Sequence, residues 1–171
     1  MTAAPWVSPI DEVTPTSYEN KVDQLWCAIF QHYFPYSEQF LVVPRERLNG
    51  PQAPDITVKY LHNNKSYTIL TMENKRASGW HLGSSWKSAL TELDEYLDLI
   101  PESAKPNPTF QVGMVGIGLF VRFYCRRNGG ATEDYPRSGG EMLHVKRDAR
   151  KIQRLLKGIK ERTADWLVVN V

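Results

Sequence analysis

Between Ser17 and Pro35 the apolar residues Val22, Leu25, Trp26, Ile29, Phe30 and Tyr33 recur at spacings of three and four. That period predicts an amphipathic helix with one buried stripe, and Thr16 or Ser17 is placed to cap it. Residues 1–16, with Pro5, Pro9 and Pro15, read as an irregular arm. Beyond Pro35 the period shortens. Phe40-Leu41-Val42-Val43 reads as a strand and Asn49-Gly50-Pro51 as a loop. Pro54 to Tyr60 alternates, with Ile56, Val58 and Tyr60 on one face and Asp55, Thr57 and Lys59 on the other. A turn at His62 to Ser66 joins it to Tyr67–Lys75, an apolar strand that ends in Glu73-Asn74-Lys75. The two strands are expected to form a hairpin.

The second half repeats these two periods. Arg76 to Gly83 is a glycine-punctuated loop. Ser84 or Ser85 is then expected to cap a helix whose stripe is Trp86, Ala89, Leu90, Leu93, Leu97 and Ile100. Glu92 and Tyr96 lie one turn apart along its flank. Phe110 to Tyr124 gives one long or two short buried strands, in which Gly116-Ile117-Gly118 is better explained by close strand packing than by a phosphate loop. Arg126 to Gly140 has loop composition, Met142 to Val145 reads as a short strand, and Asp148 to Arg162 as a helix with Ile152, Leu155, Leu156 and Ile159 inward. Leu167-Val168-Val169 is expected to close the chain as an edge strand.

An acid and a base at the end of a buried strand are costly unless paired or bound to a metal. Residues i and i+2 share a face of a strand, so Glu73 and Lys75 point the same way. The hairpin register decides whether Asp55 joins them. A two-residue Asn63-Asn64 loop in a regular hairpin sets Asp55 opposite Met72; a three-residue loop from Asn63 to Lys65, or a bulge with the same effect, sets it opposite Glu73. The second arrangement is expected, because it also gathers Ile56, Val58 and Tyr60 with Leu70 and Met72.

Composition sharpens this picture in three ways. A chain of 171 residues with 42% hydrophobic residues fits one globular domain, 17–171, without a membrane-spanning run. No secretion signal is evident at the start, so an intracellular protein of the cytoplasm or nucleus is expected. Cys27 and Cys125 read as reduced core thiols. Charge is uneven: residues 122–171 carry a net +6 and residues 1–121 a net −4. One end could attract a polyanion while the other binds a cation. His32, His62, His81 and His144 lack zinc-ligand spacing, and no serine or cysteine nucleophile motif is present.

An acid-x-lysine triplet carries little weight alone, since about one is expected by chance from this composition, and the chain has two, at Glu19-Asn20-Lys21 and Glu73-Asn74-Lys75. Only the second closes a hydrophobic strand, follows a Pro-Asp and precedes a helix. In Pro54-Asp55, in Glu73-Asn74-Lys75 and in the αβββαβ order around them, the chain resembles the PD-(D/E)XK nuclease superfamily. Glu92 to Tyr96 resembles the Gln-x-x-x-Tyr helix motif of its RecB-like branch, with Glu92 in place of the glutamine. The resemblance implies an α/β (α+β) restriction-endonuclease-like core over about 17–120, with a mixed sheet flanked by helices. Residues 121–171, with their basic helix, would be an extension.

The function implied is a Mg²⁺-dependent nuclease, with Mn²⁺ as a substitute and nucleic acid, DNA before RNA, as partner. Asp55, Glu73 and the Asn74 main-chain carbonyl would hold the metal. Glu19 would reach it through water, with Asp23 as its competitor, although Glu19 also suits a helix N-terminus. Lys75 would assist the attacking water. Arg76, Lys87 and the basic C-terminal helix are candidates for phosphate contacts, and Trp80 and His81 for base stacking. A homodimer stays open, and no membrane partner is expected. The alternative is a catalytically inactive nuclease-fold module that binds nucleic acid or protein.

Overall fold

The computed structural model of the chain describes residues 7–47, 53–107 and 109–170. A short helix α1 (Val7–Asp11) precedes α2 (Glu19–Tyr33). There follow β1 (Phe40–Pro44), β2 (Ile56–His62), β3 (Lys65–Lys75), α3 (Gly83–Leu99), β4 (Phe110–Ile117), β5 (Phe120–Arg127), β6 (Thr132–Asp134), β7 (Leu143–His144) and α4 (Ala149–Asn170). Six strands lie in chain order from β1 to β6 and β7 adds to β5, giving a seven-stranded sheet. The β3–β4 pair is parallel and the others are antiparallel, so the sheet is mixed. The parallel pair needs a crossover, which α3 supplies.

Each face of the sheet has its own core. On one side α2 and α4 bury Val22, Leu25, Trp26, Ile29, Phe30, Ile152, Leu155, Leu156 and Ile159 against Ile56, Val58, Leu70, Met72, Val112 and Met114. On the other, α3 packs Trp86, Ala89, Leu93 and Leu97 on Val115, Ile117 and Tyr124. The helical stripes read from the sequence are thus the buried faces. The expected serine and threonine caps are not used: α2 and α3 start behind Tyr18 and Leu82, neither of which makes a side-chain capping bond.

Of the two devices expected for the hairpin, a three-residue loop or a bulge, it uses the bulge. Its loop has two residues, Asn63 and Asn64, both left-handed at φ 48° and 59°, and His62 pairs with Lys65. Asparagine tolerates that region better than most residues, and two such positions in succession suit a tight hairpin. The register then shifts: Lys59 pairs with Thr68 but Val58 with Leu70. Ile69 is the extra residue of a β-bulge. The bulge lets consecutive Ile69 and Leu70 enter the same core, and from there Ile56 opposes Met72. Asp55 lies just outside β2, where the same register carried one step on would set it across from Glu73, and the two line one cleft.

Three further expectations need correction. The arm contains α1 and buries Ile10 and Val13. Residues 126–140 are a folded corner rather than a loop: β6 pairs with β5, Tyr135 is fully buried, and Arg126 is held by Asp94 and Asp98 of α3. The terminal edge strand at residues 167–169 is instead the end of α4. No glycine or proline follows Gly158 to stop that helix, and each added residue gains a backbone hydrogen bond. The Asn49-Gly50-Pro51 loop lies outside the described residues. Among the described residues no helix is long and apolar enough to cross a membrane.

Candidate active site

The α3 face of the sheet is apolar along β4, but where β2 begins and β3 ends it carries charge. Asp55 is 7% exposed and Glu73 3%. Asp55 Oδ2 accepts a hydrogen bond from the Asn74 backbone N–H at 2.7 Å. Here β2 has not yet begun, so the carboxylate satisfies a backbone donor that a neighbouring strand would otherwise take. In an extended strand a residue's carbonyl points to the same side as its N–H, so the Asn74 carbonyl is turned toward Asp55.

Lys75 bridges two acids. Its Nζ donates to Glu73 Oε1 at 2.6 Å and to Glu92 Oε2 at 2.8 Å, and Ser88 Oγ donates to Glu92 Oε1 at 3.2 Å. Glu92 thus occupies the flank of α3 nearest the strand end. Glu73 Oε2 is buried and has no hydrogen-bond partner. Asn74 points through the sheet to the other side, where its Nδ2 donates to Asp23 Oδ1 at 3.0 Å, and Asp23 also meets Arg45 at 3.5 Å.

Burial and hydrogen bonding together shift the proton affinities of these groups. Burial pushes Glu73 well above the usual carboxylate range, the Asp55 charge adds to the effect, and Lys75 only partly offsets it. Asp55 is also raised, by burial first and then by Asp23 and Glu19, against its bond from Asn74. Burial disfavours the Lys75 charge, yet the hydrogen bonds to Glu73 and Glu92 outweigh it and raise the ammonium's pKa. Glu92 is lowered: burial works against its charge and the bond from Lys75 prevails. Two carboxylates that resist ionisation side by side are the usual consequence of shared space.

A cleft of about 440 Å³ opens over these groups, lined by Glu19, Arg45, Arg47, Asp55, Glu73, Lys75, Glu92 and Tyr96. A second, of about 490 Å³, shares Glu19 and Lys75 and continues over Arg76, Ser78, Leu82, Ser84 and Ser88. Most of the residues singled out in the sequence therefore meet here. Five do not line either cleft: Asn74 and Asp23, which bond to each other, and Lys87, His81 and Trp80. Lys87 is exposed on α3, His81 packs edge-on against Trp80, and Trp80 stacks on Phe120 at 4.5 Å between ring centroids. The basic helix α4 lies on the other face of the sheet, with Lys160 paired to Glu38 and Lys151 to Glu141. Asp23, ranked below Glu19 from the sequence, positions Asn74 instead of lining the cleft. Arg45 and Arg47 were not singled out; two arginines directly after a strand were the available signal, but their place depends on the pairing of Pro44 with Ile56.

Among the described residues no group of three His, Cys, Asp or Glu side chains is arranged to hold a metal ion. A cation here would take two carboxylates, a main-chain carbonyl and water, an all-oxygen set suited to a hard ion that keeps part of its hydration shell. The partnerless Glu73 Oε2 fits that use, because a buried carboxylate oxygen otherwise carries an uncompensated cost. No protein-family model, curated protein or solved structure matches the chain.

Proposed function

We propose that this chain is a metal-dependent nuclease with a PD-(D/E)XK-type core, hydrolysing phosphodiester bonds of nucleic acid, DNA in the first instance. The observation that carries the reading is the meeting of Asp55, Glu73 and Lys75 in one cleft, made by two strands and a bulge. The order α2-β1-β2-β3-α3-β4 agrees with the αβββαβ core of that superfamily. Asp55, Glu73 and the Asn74 carbonyl would hold Mg²⁺ or Mn²⁺, and Glu19 stands at the mouth of the cleft for a contact through water. When bound, the ion supplies charge to polarise the phosphoryl oxygens and to lower the pKa of water.

The protein's own groups define the rest. The bonds to Glu73 and Glu92 raise the pKa of the Lys75 ammonium, which favours a charged donor that orients the water or stabilises the phosphoryl oxygens over a general base. Glu92, itself held by the Ser88 hydroxyl, keeps the Lys75 amine in place. Arg45, Arg47 and Arg76 stand along the cleft walls, where guanidinium groups grip phosphates without reading sequence. The test is incubation with plasmid DNA and with RNA in Mg²⁺ or Mn²⁺, with an EDTA control. Cutting that EDTA abolishes and that Lys75→Ala reduces by roughly 10²–10³-fold is the expected result. Binding without cutting on any substrate would assign the chain to the inactive-module class. Metal-independent cutting that Lys75→Ala leaves unchanged would overturn the proposal.

A further inference from the structure

Beside the catalytic cleft lies a smaller cavity of about 180 Å³ with aromatic walls, lined by Val13, Thr14, Pro15, Ala77, Trp80, Leu119, Phe120 and His144. Trp80 and Phe120 are stacked at 4.5 Å with 20° between their planes, and His144 meets Phe120 edge-on at 5.0 Å. The Arg147 guanidinium lies over the Phe120 ring at 5.9 Å. Trp80 is 40% exposed, so the stack ends in solvent. A residue of the core would not leave this much of its surface open.

The position matters as much as the composition. Ala77, in the cavity wall, follows Lys75 by two residues, a reach of roughly 7 Å along an extended backbone. Gly118, which precedes Leu119 and Phe120, donates its N–H to the Lys75 carbonyl at 3.4 Å. Its φ of 58°, and the approach of Ala77 to 2.8 Å from where a Cβ would stand, fix this turn against the loop after Lys75. The cavity is therefore held one short loop from the catalytic lysine.

We infer that this aromatic cavity receives an unpaired nucleobase next to the scissile phosphate, so that the substrate is single-stranded or frayed nucleic acid rather than intact duplex. This rests on the nuclease reading for the words "scissile phosphate", but the base-binding surface stands on its own geometry. An aromatic wall whose outer residue, Trp80, is 40% exposed, with Arg147 over Phe120 and a further cation at Arg76, is what a single strand needs: π surface for a base and positive charge for the backbone. A base held inside a duplex has its faces covered by its neighbours and cannot occupy the cavity without leaving the stack.

The test is fluorescence anisotropy of a labelled oligothymidylate and a labelled hairpin duplex, both in EDTA so that no cutting intervenes. The wild-type chain should bind the single strand more tightly. Trp80→Leu should weaken it about tenfold or more, Trp80→Tyr should keep most of the affinity, and Arg147→Ala should weaken it less. Circular dichroism of each variant checks the fold. Equal or tighter binding to duplex overturns the inference, as does a folded Trp80→Leu variant with unchanged affinity. Single-strand binding that depends on Trp80 in a protein that never cuts would keep the base-binding cavity and remove the nuclease reading, so the two failures are distinguishable.

Discussion

Lys75 sits between two carboxylates of opposite tendency: Glu73 resists ionisation and Glu92 favours it. The sign of their effect on stability follows. Glu73 and Asp55 have folded-state pKa values above their ordinary ones, so their contribution is fullest below the ordinary carboxylate range and is lost as pH rises through the raised folded values. In EDTA the melting temperature is expected to fall as pH rises from mildly acid into the alkaline range. Glu73→Gln should flatten that decline, and a wild-type profile that rises across the same range would refute the assignment. Asp23 acts at one remove, through the Asn74 side chain. Asp23→Asn should reduce cleavage far less than Lys75→Ala while lowering the melting temperature, because one acceptor for a buried amide is weakened.

At the scale of elements, the site depends on a bulge and on a close strand pair. Asn64 at φ 59° should accept glycine at no cost, whereas Asn64→Ala should destabilise the hairpin by about 1–2 kcal/mol, measured by denaturant unfolding. Gly116 faces Asn74 across β3 and β4, and a Cβ there would stand 2.6 Å from Met72 Cε and 3.0 Å from Trp26 Nε1, with Asn74 Oδ1 also in contact. Gly116→Ala is expected to cost about 1–3 kcal/mol by overpacking and to disturb the peptide between Glu73 and Lys75. The helices were legible from residues alone: Val22 to Tyr33, Trp86 to Ile100 and Ile152 to Ile159 repeat with the helical period, and each stripe is buried. The position of the bulge at Ile69 was not, since an apolar run reads the same with or without a register shift; the gathering of Ile56, Val58 and Tyr60 with Leu70 and Met72 pointed to the register but not to the residue that sets it. The corner at residues 126–140 was hidden because its anchor, Arg126, finds its acids in α3, about thirty residues away in sequence.

For the whole molecule, charge offers two candidate phosphate surfaces on opposite sides of the sheet. The excess of positive charge in residues 122–171 points to α4 as one, and α4 packs against the side of the sheet opposite α3. Basic residues at the cleft, Arg45, Arg47, Lys75 and Arg76, come from the half with negative net charge. A salt titration of nucleic-acid binding separates the two surfaces. About three or four phosphate contacts predict a slope of log affinity against log salt of roughly −2 to −4, depending on the strandedness of the ligand. Arg47→Ala should make the slope shallower by about one contact, and substitution of Lys157 on α4 should leave it unchanged.

The proposed function requires Asp55 and Glu73 to converge on one cation, with Lys75 beside it. The most direct measurement is titration of the metal-free protein with Mn²⁺, following free ion by electron paramagnetic resonance, for the wild type and for Asp55→Asn and Glu73→Gln. A saturable site is expected in the wild type that either substitution removes, with binding that tightens as pH rises and the two carboxylates ionise. Absence of binding near neutral pH, or binding that survives both substitutions, would contradict it.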